Sequence, residues 1–398
     1  MRVKALLLEN IHPEATRILT ERGFEVETRH GALGEAELIE ALEGVDVLGI
    51  RSATQVTDAV IRARGESLQA IGAFCIGTNQ IRLDTAAEAG VAVFNAPFSN
   101  TRSVVELAMA EIIVLARRLG EKNALMHAGV WDKSAAGAHE VRGRTLGIVG
   151  YGNIGAQLSI LAESFGMRVI YYDVVDKLAL GNARRCETLD ELLSEAECVT
   201  LHVDGRSSNK GLFGEEEFAR MRPRAIFLNL CRGMVVDHEA LVRQLESGHI
   251  AGAAIDVFAK EPKTAGDPFV SPLQNMPNVI LTPHIGGSTQ EAQEDIGRFV
   301  AGKLADYLAN GSTIMSVNVP QVQAGQREGV RVLHVHHNVP GVLARLNQVF
   351  ANHGANITFQ TLSTRGLLGY VITDVADVAE GLHDELAALP ETVRVRVF

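Results

Sequence analysis

A glycine-rich turn between a short apolar strand and a helix constrains the fold of this chain more than any other feature. The apolar stretch Thr145–Val149 runs directly into Gly150-Tyr-Gly152-Asn-Ile-Gly155, and residues 156–165 have a helical pattern. In such a turn the first glycine permits the bend, the second lets an anionic group approach the backbone, and the third lets the helix pack against the strand. The pattern predicts a parallel α/β sheet with a phosphate-binding turn.

A second apolar strand, 168–172, ends in Asp173. A carboxylate at this position accepts hydrogen bonds from ribose hydroxyls and disfavours a 2′-phosphate, so the pattern favours NAD over NADP. The free N–H groups at the start of the helix are offered to the phosphates. The glycines alone are also compatible with an ordinary strand turn, but strand, helix, second strand and acid together favour a dinucleotide site.

The composition limits the class of protein. With 398 residues, 46% hydrophobic and 21% charged, the chain is long enough for more than one globular domain. A formal net charge of −11 argues against a nucleic-acid or anionic-membrane partner. The cysteines, Cys75, Cys186, Cys198 and Cys231, have no metal-ligand spacing and are interpreted as reduced thiols. No stretch resembles a signal peptide or a membrane span, so we expect a cytoplasmic protein.

Alternating short strands and helices divide the chain into blocks. In residues 1–99, strands are predicted at 4–8, 45–50, 70–74 and 91–94, with helices at 13–22 and 35–42. The second block, 100–286, contains the glycine turn, a helix to about residue 118, and strands at 198–203, 225–229, 252–255 and 279–281. Each block predicts a doubly wound parallel sheet, Rossmann-like or flavodoxin-like. A helix at 289–308 would return the chain to the first block, so residues 1–99 and 287–325 are predicted to form one discontinuous substrate-binding domain.

The C-terminal block, 326–398, has a different rhythm. Its predicted order is strand 330–336, helix 341–353, strands 356–363 and 369–375, helix 379–388 and strand 392–398. This is a βαββαβ, ferredoxin-like unit. The polar, glycine-bearing segment 321–329 before it is predicted to be a hinge.

Three residues outside the glycine turn have the chemistry of a catalytic site. Arg232 follows an apolar strand, and its guanidinium group could hold a carboxylate through two hydrogen bonds. His284 follows another strand end in a glycine-rich loop, where imidazole could exchange a proton with a hydroxyl group. Glu261 could accept the other imidazole N–H and keep the pKa of the histidine up. Taken singly, each would be an ordinary salt bridge, loop histidine or surface acid; together they suggest hydride-transfer chemistry.

These motifs carry a resemblance to a known family. The segments at 150–155, 229–233, 253–262 and 282–292 resemble the D-2-hydroxyacid dehydrogenases. The segments at 74–79 and 94–104 and the C-terminal block are similar to the members of that family that oxidise 3-phospho-D-glycerate to 3-phosphohydroxypyruvate, the first step of L-serine synthesis. The similarity covers essentially the whole chain. It implies an NAD-dependent dehydrogenase acting on a small-molecule substrate.

The resemblance also implies roles for individual residues. It makes Arg232 the residue that orients the substrate carboxylate, Glu261 the acid behind the histidine, and His284 the acid/base. Cofactor contacts are implied at Gly150, Gly152, Asn153, Ile154, Gly155, Asp173, Cys231, Asp256 and Gly286, with Asp256 near the nicotinamide carboxamide. Arg51, Ser52 and Asn100 match substrate-domain positions near the carboxylate and phosphate.

The C-terminal unit resembles an ACT domain, a module that pairs with another copy and binds amino acids. His336, Asn338 and Asn356 match the serine-contacting positions, which implies feedback by L-serine. His334, His336 and His337 also suggest a metal site, but no cysteine or paired acid completes a shell. We therefore expect no metal, and a solvated strand that carries one ligand-binding histidine.

Three positions depart from the family pattern. Cys231 replaces a small residue before the arginine, and Asp204 replaces a proline in the loop beneath the cofactor. Ala53 stands where relatives often have a second arginine, which weakens the preference for a phosphorylated substrate. Ala53 therefore leaves open a reductase for another 2-oxo acid, such as 2-oxoglutarate or hydroxypyruvate. A non-catalytic NAD-sensing regulatory protein is the other alternative, because transcriptional co-repressors also use this fold.

A homotetramer is expected from the family, through pairing of cofactor domains and of ACT units. Trp131 is a candidate interface residue, although a buried core tryptophan is the alternative.

Overall fold

The computed structural model describes residues 3–262, 266–327, 329–377 and 380–398. The chain divides into two compact units, Met1–Ser99 with Gln293–Phe398, and Asn100–Ala292. The C-terminal block, for which a separate domain is predicted, is grouped with the N-terminal segment in the first unit. The predicted boundaries at residues 286 and 325 remain predictions.

The first unit begins with a parallel sheet in the order β2-β1-β3-β4-β5. Strands β3, β4 and β5 are buried on both faces, which explains their continuous apolar sequences, whereas β2 at the edge is mostly exposed and carries charges. The predicted strands are confirmed to within two residues at each end. The elements are β1 (Lys4–Leu7), α1 (Pro13–Glu21), β2 (Glu25–Thr28), α2 (Glu35–Ala41), β3 (Val47–Ile50), α3 (Asp58–Arg64), β4 (Ala70–Ala73), α4 (Leu83–Glu88) and β5 (Ala92–Asn95).

The second unit contains a longer parallel sheet in the order β12-β11-β10-β9-β6-β7-β8. Apolar clusters cover both of its faces: one includes residues of α5 and α7, and the other residues of α8, α9 and α10. This is the predicted doubly wound fold. The elements are α5 (Thr101–Ala116), α6 (Leu119–His127), β6 (Thr145–Val149), α7 (Asn153–Ser164), β7 (Arg168–Tyr172), β8 (Arg184–Arg185), α8 (Leu189–Glu195), β9 (Cys198–Leu201), α9 (Glu215–Arg220), β10 (Ala225–Asn229), α10 (His238–Glu246), β11 (Ile250–Ile255) and β12 (Val279–Leu281).

The rest of the first unit is a long helix followed by an antiparallel sheet in the order β14-β15-β13-β16. This order confirms the βαββαβ prediction. Residue 379, the predicted start of the last helix, and residue 328 of the predicted hinge lie outside the described residues. The elements are α11 (Gln290–Asn310), β13 (Val330–His337), α12 (Val342–Asn352), β14 (Ile357–Arg365), β15 (Leu368–Val375), α13 (Leu382–Ala387) and β16 (Thr392–Val397).

No helix within the described residues is long and apolar enough to cross a membrane. The same part of the chain brings no three His, Cys, Asp or Glu side chains together as a metal site.

Candidate active site

The glycine turn has the backbone geometry that its sequence predicts. Gly150 has a φ of +94°, and a Cβ atom there would lie 2.7 Å from the carbonyl oxygen of His202. A Cβ atom on Gly155 would lie 2.4 Å from the carbonyl oxygen of Gly150, so α7 can pack closely on β6 only with glycine. A Cβ atom on Gly152 would meet no described atom within 4 Å. The turn is therefore tight on its protein side and open at Gly152.

The open side of the turn fits the phosphates of a dinucleotide. Gly152 is the N-cap of α7 and has no side chain to satisfy the first N–H groups of the helix. At the end of β7, Asp173 accepts hydrogen bonds from the backbone N–H of Tyr151 at 2.8 Å and of Val175 at 2.9 Å. These bonds fix the carboxylate beside the turn, where a ribose would bind. Ile154 packs partly into the apolar cluster beneath.

His284 and Glu261 are in direct contact. The Nδ1 atom of His284 lies 2.9 Å from Oε2 of Glu261. Because a carboxylate only accepts, Nδ1 carries the proton and Nε2 is left with a lone pair in the neutral ring. The hydrogen bond to Glu261 raises the pKa of His284, although burial and the charge of Arg232 oppose this effect. The histidine is thereby prepared to take up a proton at Nε2.

Glu261 is held in place by the backbone as well. Burial acts to raise the pKa of Glu261, but its hydrogen bonds with His284 and with the Phe258 N–H at 3.0 Å outweigh burial, and the net pKa is lowered. The carboxylate therefore stays ionised when the imidazole is neutral, and it stabilises the imidazolium that forms after protonation.

The loop that presents His284 is shaped by Asp256, which is 1% exposed and follows β11. Its carboxylate accepts hydrogen bonds from the Thr282 hydroxyl at 2.6 Å and from the Ile285 and Gly286 N–H groups, both at 2.8 Å. His284 itself has a φ of +54°, a conformation that few non-glycine residues adopt without support. The family resemblance implies cofactor contacts for Asp256 and Gly286. In the structure the Asp256 carboxylate accepts the Gly286 N–H and so helps to hold the loop of His284.

Arg232 follows β10 in a turn that is closed by Asn229. The amide of Asn229 accepts the Cys231 N–H at 3.1 Å and donates to the Arg232 carbonyl at 3.1 Å. The Arg232 guanidinium donates to the Cys231 carbonyl at 2.6 Å, and its charge acts on the pKa values of both Glu261 and His284. Arg232, Glu261 and His284 therefore share one electrostatic environment.

Cys231 and Asp204, which depart from the family pattern, both bond to residues close to them in sequence. Cys231 is buried with its thiol directed to Asn229, and burial raises the pKa of the thiol to about 11, which makes it a poorly reactive core cysteine. Asp204 accepts hydrogen bonds from the Arg206 Nε atom at 2.7 Å and from Asn209 at 3.0 Å. Asp204 therefore stabilises the loop in which it lies.

The predicted substrate residues are distributed over both units. Arg51 and Ser52 lie in the first unit, after β3. Asn100 was matched to the substrate domain, but the structure assigns it to the second unit, as the N-cap of α5. A Cβ atom on Gly287 would lie 2.0 Å from its Nδ2 atom, so Asn100 packs against the end of the histidine loop.

The predicted effector residues differ in exposure. Asn338 and Asn356 are exposed, whereas His336 is 3% and its neighbour His334 1% exposed. The expectation of a solvated strand is wrong, because the antiparallel partners β15 and β16 and the helix α12 bury this part of β13. Gly369 opposite His336 is required, since a Cβ atom there would lie 2.2 Å from the imidazole.

Trp131 is 73% exposed. The interpretation of this residue as a buried core tryptophan is therefore wrong.

Two family models and relatives that cover the whole chain match this protein. Residues 109–286 match the D-isomer specific 2-hydroxyacid dehydrogenase, NAD binding domain, and residues 332–394 match the AHAS small subunit-like ACT domain. The chain is 50% identical over 401 residues to D-3-phosphoglycerate dehydrogenase of Escherichia coli strain K12, covering 100% of this chain and 98% of the relative. It is 44% identical over 413 residues to D-3-phosphoglycerate dehydrogenase 1 of Saccharomyces cerevisiae, covering 100% and 87%.

Solved structures show the same fold. D-2-hydroxyisocaproate dehydrogenase matches with a TM-score of 0.72 at 25% identity, over 79% of this chain and 100% of that chain. The NAD-complexed D-isomer specific 2-hydroxyacid dehydrogenase of Lactobacillus delbrueckii ssp. bulgaricus matches with a TM-score of 0.70 at 25% identity, over 79% and 100%. The chain therefore belongs to the NAD-dependent D-isomer specific 2-hydroxyacid dehydrogenase family, in the group of the D-3-phosphoglycerate dehydrogenases.

Proposed function

We propose that this protein oxidises 3-phospho-D-glycerate to 3-phosphohydroxypyruvate, the first step of L-serine biosynthesis. The observation that carries the proposal is the 2.9 Å contact between His284 and Glu261 in a loop shaped by Asp256. The names of relatives that are 44% and 50% identical over the whole chain support this substrate.

Three residues of the second unit have separate roles in the reaction. Arg232 holds the substrate carboxylate through its guanidinium group and polarises the C2 oxygen. During oxidation the C2 hydroxyl gives its proton to Nε2 of His284, and during reduction the same atom returns it. Glu261 keeps the imidazole in the Nδ1–H tautomer and compensates its charge once Nε2 is protonated.

The cofactor is held by the glycine turn and the acid after β7. Gly152, Asn153 and Ile154 offer the N–H groups of the α7 N-terminus to the pyrophosphate, and Asp173 accepts hydrogen bonds from the ribose. NAD, when bound, supplies the acceptor for the C2 hydride.

Arg51, Ser52 and Asn100 are proposed to bind the substrate carboxylate and phosphate. Ala53 in the loop after β3 favours a second candidate, the reduction of an unphosphorylated 2-oxo acid, because the chain lacks a cation at this position. A non-catalytic NAD sensor is disfavoured by the His284–Glu261 pair, since a binding module needs no acid/base.

The test is NADH consumption with 3-phosphohydroxypyruvate, 2-oxoglutarate and hydroxypyruvate. The highest kcat/KM is expected for the phosphorylated acid.

His284→Ala should lower kcat by about 10² to 10⁴-fold with little change in NADH affinity, because it removes the general acid. The control is His127→Ala, which changes an exposed histidine at the end of α6. A fully active His284→Ala variant contradicts the mechanism, and preference for an unphosphorylated acid contradicts the substrate.

Feedback by L-serine is proposed at the C-terminal unit. The support is the match to an ACT domain and the exposure of Asn338 and Asn356. Asn338→Ala and Asn356→Ala should raise the serine concentration needed for half-inhibition and leave the uninhibited rate unchanged. If both variants respond to serine as the wild type does, the site lies elsewhere.

A homotetramer is also proposed, and the exposed Trp131 supports an interface in the second unit. Light scattering on the purified protein measures the mass directly, and a monomer would contradict the proposal.

The proposed location is the cytoplasm. Its support is the set of free cysteines: Cys186, Cys198 and Cys231 are buried and Cys75 is half-buried. Cell fractionation tests this location.

A further inference from the structure

The carboxylate of Glu9 binds the loop that carries Arg51 and Ser52. Glu9 follows β1 and is 8% exposed. Its Oε2 atom accepts the Ala53 N–H at 2.9 Å, and its Oε1 atom accepts the Thr54 N–H at 2.8 Å. Both oxygens of one buried acid therefore hold consecutive N–H groups of the loop after β3. Such charge-assisted bonds are stronger than neutral ones.

The backbone of Glu9 is in an unfavourable conformation. Glu9 has a φ of +61° and Asn10 a φ of +53°, so two successive non-glycine residues are left-handed. The left-handed region is unfavourable for residues other than glycine, and the conformation persists only where the surroundings enforce it. The Glu9 N–H donates to the Gly31 carbonyl at 3.0 Å, which helps to hold this turn. In this turn the Glu9 carboxylate lies against the loop 51–54, where it accepts the Ala53 and Thr54 N–H groups.

The same loop is fastened from its other end by the segment after β4. The amide of Gln80, 4% exposed, donates to the Arg51 carbonyl at 2.6 Å, and the Cys75 thiol lies 3.5 Å from the same oxygen. Residues 51–54 are thus held by Glu9 on one side and Gln80 on the other. Because β1, β3 and β4 are parallel neighbours, the segments that follow them, with all these groups, lie at the carboxyl ends of the strands.

The arrangement leaves the side chain of Arg51 without an acid. Within the part of the chain that the structure describes, no ion pair is formed by Arg51, although Glu9 binds the same short loop. The Glu9 carboxylate is occupied by backbone N–H groups, and these bonds compensate its charge. The backbone of Arg51 is held by these bonds, and a guanidinium group offers a planar set of donors that suits a carboxylate or a phosphate.

We propose that Glu9 is a positioning residue for substrate binding: it fixes the loop 51–54 so that Arg51 and Ser52 bind the anionic groups of the substrate. The inference rests on the proposed function, since it takes Arg51 as a substrate-binding residue. Glu9 holds the backbone N–H of residue 53, so the positioning role does not depend on the side chain at that position.

The test is the KM of the wild type and of Glu9→Gln for the best 2-oxo acid, with the Kd of 3-phosphoglycerate from calorimetry. A glutamine can accept at only one end, so at least one N–H group loses its partner. We expect KM and Kd to rise about tenfold or more, with kcat within about twofold and the NADH Kd unchanged. A purely structural role would lower the melting temperature without this split between KM and kcat.

Glu27→Gln is the matched control, because it removes the same charge from an exposed position on β2. It should leave KM and Kd as in the wild type. Glu9→Asp keeps the charge with a shorter reach, and its KM should lie between the wild type and Glu9→Gln. If Glu9→Gln does not fold, a several-fold rise of KM in Glu9→Asp supports the inference, and a wild-type KM overturns it.

The outcomes separate this inference from the proposed function. An active wild type with the same KM in Glu9→Gln overturns the positioning role alone. Preference of the wild type for an unphosphorylated acid changes the substrate assignment, and KM of the variants is then measured with that acid. A wild type with no turnover on any 2-oxo acid overturns both.

Discussion

At the scale of single residues, the pair His284–Glu261 sets the pH dependence of the reaction. The pKa of His284 is raised, chiefly by the hydrogen bond to Glu261. Oxidation needs the neutral imidazole, so its rate should rise as the pH passes upward through this pKa. Reduction needs the imidazolium, so its rate should fall over the same range.

Glu261→Gln removes the charge that stabilises the imidazolium. The pKa of His284 should fall, which shifts the pH dependence of both oxidation and reduction to lower pH. The kcat/KM for reduction at pH 8 should drop by about tenfold or more. The measurement is kcat/KM against pH in both directions. An unchanged pH dependence would show that His284 does not govern the profile.

A buried acid outside the catalytic set should affect stability instead. Glu111 on α5 is 3% exposed, and no described residue forms a hydrogen bond with either of its oxygens. Burial, followed by the charge of Asp256, raises its pKa to about 8. On the elements packed against α5, the other charged or titratable groups are Glu163 on α7 and Glu121, Lys122 and His127 on α6. Glu111 is therefore protonated in the folded protein at neutral pH.

The raised pKa of Glu111 makes the folded protein less stable as the pH rises. Below pH 4.5 Glu111 is protonated in both the folded and the unfolded state, so it does not make the free energy of unfolding depend on pH. Between pH 4.5 and about 8 only the unfolded state loses the proton, so stability declines as the pH rises, by several kcal/mol in total. Above that range the loss is complete.

Glu111→Met fills a similar volume without an ionisable group. The variant should be more stable than the wild type at pH 8 by about 2 to 4 kcal/mol, and the difference should shrink toward pH 5. Urea unfolding at several pH values measures this difference. Glu106→Gln, on the exposed face of the same helix, is the control. A difference that does not vary with pH would contradict the raised pKa.

At the scale of elements, the glycine turn allows cofactor binding to be separated from packing. Gly152→Ala adds a methyl group where no described atom lies within 4 Å, so the fold should be retained while NADH affinity falls at least about tenfold. Gly155→Ala places its methyl group 2.4 Å from the Gly150 carbonyl and should cost about 1 to 3 kcal/mol of stability. NADH titration and urea unfolding of both variants check this. Normal NADH binding by Gly152→Ala would mean that the turn does not face the cofactor.

Elements with strong local signals could be predicted from the sequence. Strands β3, β4 and β5 are continuous apolar runs because both faces are buried, and the turn at residues 150–155 has one role for each glycine. The predicted helix start at 156 is late, because the extended Gly152 already caps α7. Strand β2 escapes prediction, because it is a mostly exposed edge strand with two glutamates among its four residues and no apolar run.

The bonds by which Glu9 and Asp256 hold backbone N–H groups could not be predicted, although the resemblance assigned Asp256 to the cofactor site, because their partners are distant in sequence. Glu9 binds residues 44 and 45 positions away, and Asp256 binds N–H groups 29 and 30 positions away. Arg232, Glu261 and His284 were predictable because each lies in a distinctive local segment. Glu261, which orients His284, has a local signature of this kind, whereas the bonds of Glu9 and Asp256 to distant N–H groups depend on the packed fold.

At the scale of the whole molecule, one buried charge joins distant segments of the first unit. Arg331 on β13 donates from Nε and Nη2 to the Asp374 carboxylate on β15, both at 2.6 Å. Its Nη1 atom also donates to the carbonyls of Asn310, at the end of α11, and Gly325, each at 3.1 Å. The side chains of Arg331 and Asp374 are 0% and 1% exposed. The described part of the predicted hinge is therefore bonded to the C-terminal sheet.

Asp374→Asn tests how much this bridge contributes. The neutral amide leaves the buried guanidinium without its counter-charge, which should lower the free energy of unfolding by about 3 to 5 kcal/mol. Asp384→Asn is the matched control in the same block, because its carboxylate is 91% exposed and pairs with His383 at the surface. Hydrogen exchange should show the loss in β13 and β15 and at the end of α11, since all three are bonded to Arg331. Destabilisation confined to the C-terminal sheet would mean that Arg331 does not join it to α11.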